Sequence, residues 1–237
     1  MRTTAKILIV KSGTTNPPVV EKHGDYDFWF QRSLAHHAIQ WSVVSVYDDE
    51  ALPSADDFDG IILTGSPASV WENEPWMRRT IEWLQECIQM STTPILGVCF
   101  GHQLLGQALG GTVVPNPKGA EYGTIEVELS PEGTADRLFD GLTSPLRVQS
   151  IHRDIVVDLP MRTGLTPLGR TENTHCQAFA FGAHVRAVQF HPELPEAALK
   201  MLCALREVPA NVGATSQGAR ILDNWFRYWV GNRNPIG

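Results

Sequence analysis

"PILGVCFGHQLLGQALGG", residues 94–111, begins as an unbroken apolar run and continues with helical spacing, and where the two meet stands Cys99, with Gly97 and Gly101 two positions away on either side. The apolar run reads as a strand buried on both faces, and the following residues as a helix. Gly97-Val98-Cys99-Phe100-Gly101 has the form of the G-x-S-x-G nucleophile elbow, in which a strand turns abruptly into a helix and leaves the central side chain at the tip. A thiol placed there meets the free N–H groups and the positive end of the helix dipole, which favour a thiolate. The N–H of Phe100 points to where an oxyanion would form.

Outward from this corner, short β-rich runs alternate with helical patterns. Residues 6–11 (KILIVK), 41–47 (WSVVSVY), 60–65 (GIILTG) and 94–99 (PILGVC) are near-continuous apolar runs, as expected of parallel strands covered on both faces. A helix is expected over 74–90 behind Asn73 as N-cap, with Met77, Ile81, Leu84, Cys87 and Ile88 forming its apolar stripe. The stretch 23–30 (HGDYDFWF) is expected to open the first helix, with Trp29 and Phe30 in the core. His36 and His37, neighbours on that helix, would face different directions and so are not read as a metal pair. From about residue 112 the pattern changes. In 124–130 (TIEVELS), Ile125, Val127 and Leu129 alternate with Glu126, Glu128 and Ser130, the mark of an antiparallel strand with one wet face. Further strands are expected near 146–149, 166–171, 177–181 and 184–190, and helices near 196–206 and 216–230. The expected architecture is α/β: a three-layer sandwich with a mainly parallel central sheet and an antiparallel extension, in one domain over residues 1–237.

Composition narrows the function. The chain has 237 residues, 43% of them apolar, enough for a sizeable core, and a formal net charge of −7. With no basic stripe, no nucleic-acid partner is expected. The apolar run near the start is too short for a signal or a membrane span, so no membrane association and a cytoplasmic location are expected. Cys87, Cys99, Cys176 and Cys203 form no C-x-x-C pair; reduced thiols, no metal and no cofactor are expected, with Cys176 and Cys203 as packing residues.

A base for the thiol is offered by "AVQFHPE", residues 187–193. His191 and Glu193 are two apart and, at the end of an extended strand, point to the same side, while Pro192 stops the ladder between them. Glu193 can then accept from one imidazole nitrogen while the other faces Cys99.

G-V-C-F-G-H-Q, followed 92 positions after the cysteine (191 minus 99) by H-P-E, resembles the class I, triad-type glutamine amidotransferases, closest to stand-alone GMP-synthase-like members, over residues 6–193. The resemblance implies a flavodoxin-like fold with Cys99 as nucleophile, His191 as general base and acid, and Glu193 as its orienting partner. It implies a glutamine contact at Gln103. "ILTGSPASVW" (62–71) matches the family's G-G-P-x-S oxyanion loop, so the backbone of Gly65 and Ser66 would join Phe100 in the oxyanion hole; Ser66 stands where the family has its second glycine. "SIHRD" (150–154) matches the S-H-G-D segment, which implies that His152 and Asp154 hold the α-amino group of glutamine, with Ile151 and Arg153 departing from the pattern.

The implied reaction is hydrolysis of the glutamine side-chain amide through a cysteine thioester, releasing ammonia and glutamate. No G-x-x-x-x-G-K-[ST] loop and no acceptor-activating domain are visible, so ammonia used in synthesis would go to a separate synthetase. Two other readings stay open: a γ-glutamyl peptidase, which the altered 150–154 segment permits, and a non-catalytic binding or regulatory domain, which the complete Cys99, His191 and Glu193 set argues against.

Overall fold

The computed structural model describes residues 4–160 and 164–231. Its framework is a nine-stranded mixed sheet. The first five strands in spatial order are β2 (Ile39–Ser45), β1 (Ala5–Lys11), β3 (Gly60–Leu63), β4 (Ile95–Val98) and β11 (Val185–Val188), all parallel. The sheet then continues antiparallel through β10 (Ala178–Phe181), β9 (Leu165–Arg170), β6 (Glu121–Leu129) and β7 (Leu146–His152). A separate two-stranded ribbon pairs β5 (Thr112–Pro115) with β8 (Asp154–Val157).

Strand alternation divides the core between the two faces. Ile7 and Ile9 pack on one side with Phe30 of α2 (Tyr26–Ser33) and with Ile221, Leu222 and Trp225 of α7 (Gln217–Trp225). Leu8 and Val10 pack on the other with Met77, Leu84 and Cys87 of α3 (Pro75–Met90) and with Leu104 and Leu105 of α4 (Phe100–Ala108). Helices on both faces satisfy the central strands, which are apolar on both sides and fully buried. A third cluster joins Val19 of α1 (Pro17–His23) to Tyr26, Trp29 and the apolar side of α6 (Glu196–Leu205), the short α5 (Pro131–Ala135) lying between β6 and β7 in the chain.

The structure corrects several expectations. The run around WSVVSVY is not buried on both faces: β2 is the sheet's edge, its residues are half-buried, and Val43 is 38% exposed. Two short helices, α1 and α2, replace the single first helix; Gly24, at φ 81, separates them, and Asp25 caps the second. Helix α3 has Glu74, not Asn73, at its N-cap position. Asn73 is left-handed at φ 54 and closes the short 3-10 turn Val70–Glu72, a conformation asparagine tolerates. The stripe of α3 is buried at Met77, Thr80, Leu84 and Cys87. The last helix gives way after Trp225 to a π-helical turn, Phe226–Val230.

The site follows from this topology. The chain crosses from β1 to β2 on one side and then to β3 on the other, so a cleft forms beyond the C-terminal ends of the parallel strands. The segments just past β3, β4 and β11 are Thr64–Ser66, Cys99 and Gln189–His191.

Candidate active site

Register brings the thiol and the imidazole together. Val98 pairs with Val188 at the ends of β4 and β11, and the Cys99 N–H continues the ladder to the Val188 carbonyl at 2.9 Å. Three residues beyond Val188, the His191 N–H donates to the Gln149 carbonyl of β7 at 2.8 Å, so the backbone of His191 is held by an isolated bridge to β7 as well.

The elbow is strained at the cysteine itself. Cys99 has φ 53 and ψ −102, a backbone conformation that L residues rarely adopt. The flanking glycines serve a different purpose. A β-carbon on Gly97 would lie 2.5 Å from Cδ1 of Leu105 and 2.7 Å from the Gly101 carbonyl oxygen. One on Gly101 would lie 2.5 Å from Cβ of Leu63 and 2.6 Å from its carbonyl oxygen. Helix α4 is thus packed backbone against backbone on β3 and β4, and the Gly101 N–H reaches the Thr64 carbonyl at 3.1 Å.

His191 is buried and pairs through Nδ1 with Glu193 Oε1 at 2.7 Å. Burial by itself would lower the imidazole's pKa. The charge of Glu193 and then that of Cys99, with hydrogen bonds to both, outweigh it and hold His191 up at about 10. Glu193 holds the ring through Nδ1 and leaves Nε2 for the sulfur of Cys99. Glu193 is itself buried.

Sequence reasoning missed Tyr26. Its ring stacks on His191, with centroids 6.3 Å apart and planes 18° from parallel, and burial and the charges of Cys99 and Glu193 push its hydroxyl pKa up. Asp25 sets its position: this carboxylate accepts from Thr14 Oγ1 and from the backbone of Thr15 and Tyr26, and pairs with Lys11 Nζ at 2.7 Å. The Asp-x-Asp pattern before an apolar run was the available signal, since it reads as a helix cap.

The loop after β3 carries Gly65 and Ser66. The Ser66 Oγ accepts from the Ala68 N–H at 3.1 Å and lies over Gly13, so the side chain turns into the loop's own packing. Phe100 opens α4, where its N–H has no carbonyl partner within the helix.

The three residues read as substrate contacts lie in a buried polar network. Gln103 donates to the Asp154 carbonyl (3.0 Å) and to Gln189 Oε1 (3.2 Å). Asp154 Oδ2 accepts from Ser69 Oγ at 2.5 Å, while its Oδ1 is buried without a hydrogen bond. His152 contacts the Asp154 carbonyl through Nδ1 (3.2 Å) and Glu121 Oε2 through Nε2 (3.0 Å). Glu121, the first residue of β6, also accepts from Thr171, Thr174 and Gln177. It is buried, yet its partners hold its carboxyl below the ordinary range. No sequence pattern links Glu121 to partners 31 to 56 residues away.

His102, beside the elbow, is no rival for His191. Burial, and then the nearby His152, push it down to about 3, and its ring packs 5.0 Å from that of Phe179. A cavity of about 340 Å³ opens on His191 and Glu193 and is bounded by Trp29, Arg32 and Gln149. Cys99 is 5% exposed and is not among the residues that line this cavity. No described helix is long and apolar enough to cross a membrane.

Fold and site together define an acyl-transfer enzyme of the cysteine type on a doubly wound sheet. The glutamine amidotransferase class-I family model matches residues 19–200, and the chain belongs to that family. It is 29% identical over 200 residues to a glutamine amidotransferase-like protein of Schizosaccharomyces pombe (79% of this chain, 78% of the other). It is 28% identical over 181 residues to gamma-glutamyl peptidase 3 of Arabidopsis thaliana (74% and 71%). It is 30% identical over 172 residues to one subunit of the glutamine-hydrolysing GMP synthase of Sulfurisphaera tokodaii (72% and 85%). Among solved structures, a glutamine amidotransferase from Methylobacillus flagellatus superposes with a TM-score of 0.72 at 18% identity, covering 95% of both chains, which establishes the shared fold.

Proposed function

We propose that this chain is a single glutaminase domain that hydrolyses the side-chain amide of glutamine through a thioester on Cys99. The observation that carries the reading is the convergence of Cys99 and His191 at the ends of adjacent strands, with His191 held by Glu193 at 2.7 Å. The Cys99 thiolate attacks the amide carbonyl carbon, and the oxygen takes up negative charge against the N–H of Phe100 and the Gly65–Ser66 backbone. His191 passes its proton to the nitrogen as the C–N bond breaks, and ammonia departs. His191 then takes a proton from water, whose oxygen attacks the thioester, releasing glutamate and restoring the thiolate. Gln103, His152 and Asp154 shape the end of the site that receives the amino-acid head of the substrate. Similarity to a GMP synthase built from separate subunits supports a separate synthetase as consumer of the ammonia.

A second reading has a specific observation in its favour. Arg153, in a segment that departs from the family pattern, donates from Nη2 to the Pro67 carbonyl (3.1 Å) and to Ser69 Oγ (3.2 Å), placing a cation on the loop that begins at Gly65. A cation there suits the carboxylate of an amino acid joined to a γ-glutamyl group, and similarity to a γ-glutamyl peptidase points the same way. Measuring product release from glutamine and from a γ-glutamyl dipeptide decides between them. A higher kcat/KM for glutamine supports the first reading, and a higher one for the dipeptide supports the second. Inertness toward both, in a protein whose Cys99 is still alkylated, overturns both.

A further inference from the structure

Histidines 36 and 37 do not diverge as neighbours on a helix would. Helix α2 ends at Ser33, and both residues lie in the turn leading to β2. From there both imidazoles aim at one oxygen of α7: Asp223 Oδ1 lies 3.1 Å from His36 Nε2 and 2.8 Å from His37 Nε2. The three atoms fall within 4.8 Å of one another. The group is assembled from segments 186 residues apart. It is also braced. The His37 ring stacks on Phe226 at 3.9 Å, and Arg227 approaches the other carboxylate oxygen of Asp223 at 3.6 Å, leaving Oδ1 to the histidines. Burial alone would raise the Asp223 carboxyl's pKa, but the two histidines hold it below its ordinary value.

We propose that His36, His37 and Asp223 form a site for a borderline transition-metal ion, zinc being the representative case. Two imidazole nitrogens and one carboxylate oxygen are a donor set for zinc, cobalt(II), nickel or copper(II), whereas magnesium and calcium prefer oxygen throughout. Bonds of about 2.0–2.2 Å in tetrahedral geometry place neighbouring ligand atoms about 3.3 Å apart. The two nitrogen–oxygen spacings, 3.1 and 2.8 Å, need open by only a few tenths of an ångström, with the ion displacing the protons that join the rings to the carboxylate. The His36 side chain is 59% exposed, which leaves an entry path and a fourth position for water. Trp29, Arg32 and Ser33 of α2 and Gly218 and Ala219 of α7 line the cavity beside His191, so a bound ion would pin together two of its walls.

The test uses tag-free full-length chain carrying Cys99→Ala, so that this thiol does not compete for metal. Zinc is titrated by calorimetry, cobalt(II) by visible absorption, and melting is followed with and without zinc. One equivalent of zinc is expected to bind and raise Tm. Cobalt(II) should give a visible spectrum of nitrogen and oxygen ligation without thiolate charge transfer. His36→Ala, at an exposed position, should weaken zinc at least about 10-fold and cancel the rise in Tm. Asp223→Asn should do the same, its zinc-free Tm reporting whether the fold is intact. Absence of saturation below about 1 mM zinc, or binding that survives both substitutions, overturns the proposal.

Discussion

A β-carbon on Gly65 would stand 2.8 Å from Cε1 of His191 and 3.1 Å from Cε1 of Tyr26. The loop after β3, the His191 imidazole and the aromatic ring behind it therefore leave no room for a side chain between them, and the loop can approach only as a glycine. Gly65→Ala should displace the imidazole by some tenths of an ångström and lower kcat on the order of 100-fold, since misplacement of reacting groups is costly. Unchanged turnover in a folded variant would show that His191 is not where the chemistry occurs.

The strained backbone at Cys99 makes an unusual stability ranking testable. Alanine keeps the penalty of a positive φ, whereas glycine does not. Both Cys99→Ala and Cys99→Gly should lose activity by roughly 10³-fold or more. Cys99→Gly should nevertheless be the more stable of the two by about 1 kcal/mol, the reverse of the usual order beside a helix. Chemical denaturation of the two variants measures the difference, and a more stable alanine variant would remove the case for strain.

Reactivity should single out one thiol of four. Burial, reinforced by Glu86 and Asp56, pushes Cys87 up to about 12, burial alone does the same for Cys176, and burial also raises Cys203. These three remain protonated near neutral pH, and the thiolate is the nucleophile. Mass spectrometry after brief treatment with a glutamine-like electrophile should find the label on Cys99. Faster labelling of another cysteine would move the site.

The pairing of His191 with Glu193 has a pH signature. The folded pKa of His191, about 10, lies above its ordinary 6.5, so the folded state binds the proton more tightly. The stability this contributes is fully present below pH 6.5 and is lost as pH rises through about 10. Glu193→Gln removes the largest of the attractions that raise it. The parent protein should therefore lose more melting temperature between pH 7 and 10 than this variant does. Turnover by Glu193→Gln should fall less than that by His191→Ala, because the carboxylate orients and exchanges no proton with substrate. Parallel melting curves for parent and variant would break the assignment.

The elbow is legible in the sequence because its signals are local: two glycines at fixed spacing, an apolar run before and a helical pattern after. His191 and Glu193 are legible for the same reason. Tertiary position is not. WSVVSVY carries the apolar content of a central strand, yet β2 closes the sheet, and nothing in those seven residues records a missing neighbour. Strands β5 and β8 are four residues each and, among the described residues, pair only with one another, Thr112 with Val157, so neither has a pattern long enough to read. His36 and His37 escape a helical reading because the helix does not extend past Ser33.

The packing at Gly97 and Gly101 has a consequence for judging proteins of this shape. Both glycines are needed by Leu63, Leu105 and the neighbouring backbone whether or not a sulfur stands between them. A descendant that had abandoned chemistry would lose the thiol freely and keep its glycines to stay folded. The two glycines are therefore a record of architecture, and only the residue between them testifies to an occupation.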